Sequence, residues 1–129
     1  FTLRDAYCEP KGVQTPHPPI TIGGDGEKRT LRAVARYAQR WNTPFTNAEV
    51  LAHKRSVLAA HCADIGRDPA EIDITAQVAY DDAQGPGALA DACGELADAG
   101  CDLVVVGLRA QQHRAEVLGP IADALAPLA

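Results

Sequence analysis

Apolar residues recur along the chain with two periods, one close to two residues and one close to 3.6 residues. Four short apolar or alternating runs predict β-strands, near residues 20–23, 40–44, 72–80 and 102–107. After each run the apolar residues recur at helical spacing, in the first case at Leu31, Val34, Ala35 and Ala38. The pattern therefore predicts four consecutive βα units.

The second predicted helix carries the clearest start and end signals. Thr46-Asn47-Ala48-Glu49 matches a capping box, in which the Thr46 hydroxyl accepts a hydrogen bond from an amide of the first turn and Glu49 reaches back. Gly66 is placed to end the helix in a left-handed conformation. The first helix is expected to begin at Glu27. The residues expected to be buried on the second helix are Val50, Leu51, Val57, Leu58, His61 and Ile65.

Strict alternation of strands and helices predicts an α/β fold with a parallel sheet and right-handed crossovers. Two architectures fit this order: a small doubly wound sheet, or half of a (β/α)8 TIM barrel. Four units within residues 20–129 match the spacing of half a barrel, because a complete barrel needs about 250 residues. The continuous apolar run at 103–106 is typical of a strand that is covered on both faces.

Residues 1–19 are rich in proline and glycine, so we expect an extended segment there, followed by a half-barrel domain at 20–129. The chain starts at Phe1 and contains no Met, which suggests that an upstream element is missing from it. No apolar run is long enough for a membrane span and no signal peptide is apparent, so we expect a cytoplasmic protein without a membrane partner. The four cysteines form no C-x-x-C pair and are expected to be reduced thiols.

The charged residues argue against nucleic-acid binding. The formal net charge is −5, from 12 Lys and Arg against 17 Asp and Glu, and the basic residues are dispersed along predicted helices. Nucleic-acid binding would need a concentrated basic face. The spacing of His and carboxylate residues also indicates no metal site and no Ser-His-Asp triad.

The best candidate site is Gly23-Gly24-Asp25-Gly26, between the first strand and the first helix. Glycines let the backbone approach a ligand closely, and a helix start offers free amides and the positive end of the helix dipole. We therefore predict a phosphate-binding turn, although a tight turn without a ligand fits the same residues. Arg29 is placed either to pair with the phosphate or to face solvent.

The end of the second predicted strand supplies further candidates. Trp41 and Asn42 lie where barrel enzymes carry active-site residues, and Trp41 suits either a core position or a platform for a cofactor. Thr43 is a weaker candidate for contact with a substrate or cofactor. The catalytic residues stay unassigned.

Several segments together resemble the bacterial luciferase-like monooxygenase family, especially its branch dependent on the deazaflavin coenzyme F-420. They are residues 16–31, 35–38, 41–42, 61–69 and 99–107. Members of this family are β/α barrels about twice as long, and the chain resembles their carboxyl-terminal half, from the fifth strand to the eighth. The resemblance implies an oxidoreductase that binds F-420 or flavin mononucleotide (FMN) and acts on a small molecule.

The resemblance assigns cofactor phosphate binding to the turn formed by Gly23, Gly24, Asp25 and Gly26. Asp25 departs from the commoner glycine, and its carboxylate would repel a phosphate by about 1 kcal/mol in a solvated site. Most of the ring pocket would belong to the other half of the barrel, so this segment alone is expected to be inactive. A non-catalytic binding or assembly module that kept the fold is the alternative.

The expected sheet has two unpaired edges, which a complete barrel would close. We therefore expect either a homodimer or pairing with a separate half-barrel.

Overall fold

A computed structural model of the chain describes residues 2, 4–7, 9–44 and 46–128. Four strands and four α-helices alternate in the order β1 Thr21–Gly23, α1 Thr30–Tyr37, β2 Arg40–Thr43, α2 Ala48–Ala63, β3 Asp73–Ala79, α3 Gly85–Asp98, β4 Leu103–Gly107 and α4 Ala115–Leu125. Three short 3₁₀ segments lie at Pro69–Glu71, Ala110–Gln112 and Ala126–Leu128. The described residues before Thr21 form no helix or strand and are exposed.

All four strands belong to one parallel sheet in the order β1-β2-β3-β4. The register places Gly23 beside Asn42, Asn42 beside Thr75, and Thr75 beside Leu103. Each strand is thus joined to its neighbour in the sheet by one helix. The predicted α/β fold of four parallel βα units is confirmed.

One face of the sheet packs against the helices. Every second strand residue points to this side, and these residues form the core with α1, α2 and α3. The strand residues of this set are Ile22, Trp41, Ile74, Ala76, Val78 and Val104. A second cluster joins α3 and α4 to the β3–β4 side of the sheet through Tyr80, Leu89, Cys93, Val117 and Ile121.

The other face of the sheet is covered by none of the described helices, and we call it the open face. Its residues are Thr21, Gly23, Arg40, Asn42, Asp73, Thr75, Gln77, Ala79, Leu103, Val105 and Gly107. Leu103 is 51% exposed and Val105 is 46% exposed. The prediction that β4 is covered on both faces is therefore wrong, because all the helices pack on one side.

The helix starts differ from the sequence predictions. Helix α1 begins at Thr30 rather than Glu27, because the chain continues through a turn in which the Leu31 amide donates to the Gly26 carbonyl. Helix α2 is capped by Asn47 rather than Thr46, since the Asn47 side chain accepts from the Val50 amide.

The buried stripe of α2 also differs in part. Leu51, Leu58 and Cys62 are buried, whereas Val50 and Ile65 are 41% and 51% exposed. The buried side of α2 is therefore formed by Leu51, Leu58 and Cys62, which follow one another after seven and four residues. Gly66 has φ +70°, which agrees with the predicted left-handed helix end.

The described cysteines, Cys62, Cys93 and Cys101, carry free thiols, and the prediction for Cys8 lies outside the described residues. Burial raises the pKa of all three thiols, so they stay protonated at neutral pH. In the part of the chain that the structure describes, no helix has the length and apolar character needed to cross a membrane.

Candidate functional site

The glycine turn, residues 23–26, lies at the carboxyl end of β1. Gly23 ends the strand, and Gly24 has φ +115°, a conformation that side chains with a Cβ rarely adopt. Asp25 and Gly26 are exposed. The turn therefore lies at the edge of the sheet where the ligands of parallel α/β proteins bind, and no side chain buries it.

Strand β2 holds the turn from both sides of Gly24. The Gly24 amide donates to the Asn42 carbonyl at 3.0 Å, and the Trp41 indole Nε1 donates to the Gly24 carbonyl at 2.7 Å. Trp41 itself has no exposed surface and belongs to the core. Of the two interpretations of Trp41, the structure supports a core residue, and it adds a role in fixing the turn.

The backbone of the turn keeps donors available for a ligand. Within the described residues, the amides of Asp25 and Gly26 have no backbone acceptor. The Gly26 carbonyl accepts from the Leu31 amide, so the turn is joined directly to the first turn of α1. A Cβ at Gly26 would lie 3.0 Å from the Thr30 hydroxyl oxygen. The close approach of Thr30 therefore favours glycine at this position.

Helix α2 anchors the residue after the turn. The Glu27 carboxylate accepts from Lys54 Nζ at 2.7 Å and contacts His53 Nε2 at 3.1 Å, while the Glu27 carbonyl oxygen lies 2.8 Å from His61 Nε2. The hydrogen bond from Lys54, with a smaller effect of His53, lowers the pKa of Glu27. Glu27 therefore stays ionised at neutral pH and connects the turn to α2.

An open depression beside the turn brings together three of the six predicted site residues, Asp25, Gly26 and Arg29. It is lined by Asp25, Gly26, Glu27, Lys28, Arg29, Thr30 and Lys54. Lys54, whose side chain is 16% exposed, was not predicted as a site residue. Its position seven residues before His61 is the signal that sequence reasoning could have used, because both side chains then lie on one face of α2.

The side chains of the predicted residues occupy different environments. Arg29 is exposed at the N-cap of α1 and makes no side-chain capping bond. Asp25 forms no ion pair with any described residue. Thr43 is 1% exposed and lies on the helix-facing side of β2, so its contact with a substrate or cofactor stays a prediction.

Hydrogen-bonded polar side chains cross the open face between β2 and β3. Asn42 Nδ2 donates to Thr75 Oγ1 at 2.8 Å, and Gln77 Nε2 donates to Asn42 Oδ1 at 3.1 Å. Arg40 and Asp73 form an ion pair at 3.0 Å on the same face. Sequence reasoning missed Thr75 and Gln77 as site residues, although polar residues at every second position of β3 pointed to this face.

A separate cavity of about 400 Å³ lies at the other end of the strands. It is lined in part by Ile72, which precedes β3, and by Asp102, which precedes β4. The cavity is thus at the amino ends of the strands and is not part of the candidate site. Within the described residues, no group of three or more His, Cys, Asp and Glu side chains is placed to hold a metal ion.

The chain superposes on the coenzyme F-420-dependent tetrahydromethanopterin reductase from Methanopyrus kandleri with a TM-score of 0.66 and 13% sequence identity. The match covers 85% of this chain and 50% of the reductase. The fold is half of a (β/α)8 barrel. Sequential strand order, with all helices on one face, also excludes the doubly wound alternative.

The half-barrel agrees with the luciferase-like barrel fold that the sequence resemblance implied. The chain spans about half the length of the reductase that it matches. No protein-family model matches the sequence, and no curated protein matches it.

Proposed function

We propose that this half-barrel is the carboxyl-terminal half of a luciferase-like oxidoreductase that uses F-420 or FMN and acts on a small molecule. The observation that carries the proposal is the position of the glycine turn, exposed at the carboxyl edge of the sheet with the amides of Asp25 and Gly26 available. Phosphates bind where such amides meet a helix start. The half-barrel fold shared with an F-420-dependent reductase supports the same assignment.

In this proposal the turn binds the phosphate of the cofactor through its backbone. Arg29 and Lys54, which line the same depression, supply positive charge, while Asp25 opposes the phosphate. Trp41 positions the Gly24 peptide, and Glu27 connects the turn to α2. Thr43, the last residue of β2, stays a candidate contact, and its side chain is buried on the helix-facing side of the strand.

The bound cofactor supplies hydride chemistry, and the protein orients it. The open face contributes Asn42, Thr75 and Gln77 as hydrogen-bonding groups toward the interior of the barrel. A second set of four strands, from another half-barrel or another copy of this chain, is needed to enclose the ring and the substrate. This chain alone is therefore expected to lack redox activity.

Nuclear magnetic resonance titration tests the phosphate site directly. FMN and inorganic phosphate should shift the backbone amide signals of residues 24–30, and riboflavin, which has no phosphate, should leave them unchanged. F-420 should act as FMN does if its phosphate occupies the same turn. Nuclear magnetic resonance detects weak binding, which is expected because this chain forms only half of the proposed barrel.

Two glycine variants complete this test. Gly24→Ala should weaken the shifts strongly, because Gly24 has φ +115°, a backbone conformation that residues with a Cβ rarely adopt. Gly87→Ala, on α3 with no atom within 4 Å of the added carbon, should keep them. Equal shifts with riboflavin, or none with any phosphate compound, would refute the phosphate-binding turn.

The second candidate is a non-catalytic binding or assembly module. The observation that favours it is Asp25, an exposed carboxylate without an ion-pair partner among the described residues, in the middle of the turn. If neither FMN nor F-420 binds while circular dichroism shows that the fold is intact, the non-catalytic module is favoured.

A further inference from the structure

The cavity of about 400 Å³ at the amino ends of the strands combines charged walls with an apolar floor. One wall belongs to α2, a second to the 3₁₀ segment Pro69–Glu71 and the residue before it, and a third to the connection from α3 to β4. Small-molecule sites in proteins have volumes of about 300–1,000 Å³ and are largely apolar with a few placed polar groups. The cavity therefore has the size and the lining of a site for a small ligand.

The floor of the cavity is formed by three aliphatic side chains. Leu58 comes from α2, Ile72 precedes β3, and Ile74 is the second residue of that strand. They are 2%, 3% and 6% exposed, respectively. An apolar group of a ligand that packs on this floor would be removed from water, which is favourable.

Arg55 supplies the positive charge of the cavity. Its Nη1 donates to the Ala99 carbonyl at 2.6 Å, and its guanidinium lies over Gly100. Gly100 has φ +86°, and a Cβ there would overlap the guanidinium, so glycine allows Arg55 to take this position. A guanidinium has five N–H donors, and Arg55 forms no ion pair with any described residue. Its other donors are therefore available to an anionic group.

Two carboxylates line the same cavity, and each is oriented by a backbone amide. Asp68 accepts from the Ala70 amide at 2.9 Å, and Asp102 accepts from the Ile74 amide at 2.7 Å. Neither carboxylate forms an ion pair with a described residue. Each bond uses one carboxylate oxygen, so the second oxygen of each side chain is available to a cationic group.

We propose that this cavity binds an α-amino acid with an apolar side chain. The carboxylate of the ligand pairs with Arg55, its ammonium group pairs with Asp68 and Asp102, and its side chain packs on the floor. The guanidinium and the two carboxylates are not paired with one another, so a ligand that carries both charges meets each of them with the opposite charge. A simple amine would leave Arg55 unpaired, and a simple carboxylic acid would bring a third carboxylate beside two aspartates.

This amino-acid site goes beyond the proposed function. The glycine turn lies at the carboxyl end of β1, whereas the cavity lies at the amino ends of β3 and β4. The two sites share no lining residue. Either site can therefore bind its ligand without the other.

Nuclear magnetic resonance titration of the full chain with L-leucine tests the site. Leucine should shift the backbone amide signals of residues 70–72 and 100–102, with a dissociation constant of about 1 mM or below. Three analogues each lack one feature: leucine amide lacks the carboxylate, N-acetyl-leucine lacks the ammonium group, and glycine lacks the apolar side chain. Each analogue should bind roughly tenfold more weakly than leucine, or weaker still.

Two variants assign the charges of the ligand to the walls. Arg55→Gln should weaken leucine binding roughly tenfold and leave the affinity for leucine amide unchanged, because that analogue has no carboxylate to lose its partner. Asp68→Asn/Asp102→Asn keeps an oxygen for each backbone amide. It should weaken leucine binding by a similar factor and should not weaken the binding of N-acetyl-leucine.

Matched controls change exposed charges that do not line the cavity. They are Arg32→Gln on α1 and the double variant Asp82→Asn/Asp91→Asn, whose second position lies on α3. Both should bind leucine as the unaltered chain does. Circular dichroism would verify that every variant is folded.

The absence of saturable shifts with about 10 mM leucine, ten times the expected dissociation constant, would overturn the proposal. So would equal affinity for leucine and any of the three analogues, since one of the assigned contacts would then be missing. Leucine shifts confined to residues 24–30 would place the ligand at the glycine turn and would equally contradict the site. FMN binding is measured at residues 24–30, so failure of the amino-acid site leaves the proposed function standing, and the reverse also holds.

Discussion

Asp25 places a negative charge in the middle of the glycine turn. We predict that Asp25→Asn strengthens FMN binding roughly fivefold, because removing about 1 kcal/mol of repulsion in a solvated site changes affinity by that factor. Titration at low ionic strength measures the gain, which should shrink when salt is added. Asp91→Asn, an exposed change on α3, should have no effect. Unchanged affinity for Asp25→Asn would mean that the phosphate binds away from residue 25.

The contact between Glu27 and Lys54 should make stability depend on pH. Hydrogen bonding by Lys54 lowers the pKa of Glu27 in the folded state, so the ionised carboxylate stabilises the fold above the pKa of the unfolded chain. This stabilisation is lost as the pH falls through the folded-state pKa.

The contribution of Glu27 is measured by the unfolding midpoint temperature of Glu27→Gln, recorded from pH 7 down into the acid range. The variant should melt below the unaltered protein at pH 7, and the two midpoints should converge as the pH falls through the folded-state pKa of Glu27. Glu95→Gln, exposed on α3, provides the comparison and should show no such convergence. A constant difference at every pH would indicate that the glutamate acts through its shape and not its charge.

Among the secondary-structure elements, α2 offers a direct test of its start. Asn47→Ala should lower the free energy of unfolding by about 1 kcal/mol, because the variant leaves the Val50 amide without its side-chain acceptor. Thr46→Ala, one residue earlier, should change it by less than about 0.5 kcal/mol. Chemical denaturation gives both values. A larger effect at Thr46 would support the capping box that was predicted from the sequence.

The strands and helices were predictable because their periods are local features of the sequence. The start of α2 was not, since Thr46 and Asn47 are adjacent and either side chain can cap a helix. The exposure of β4 was also missed, because the apolar run at 103–106 is the same for a strand covered on one face or on both. Only the position of the helices separates these cases.

The candidate site was predictable where its residues are consecutive. The turn at 23–26 can be found from its glycines, whereas the contacts of Glu27 join it to Lys54 and His61, 27 and 34 residues away. Such contacts depend on how α2 lies against the sheet. No period or motif in one sequence contains that information.

The hydrogen bond between Trp41 and the Gly24 carbonyl also gives the protein an intrinsic optical reporter. Trp41 is the single tryptophan of the chain and has no exposed surface. Its fluorescence should therefore be emitted at short wavelength and resist quenching by iodide while the turn is ordered. Any rearrangement of residues 23–26 alters the electric field at the indole ring, so a change in emission follows the turn without an added label.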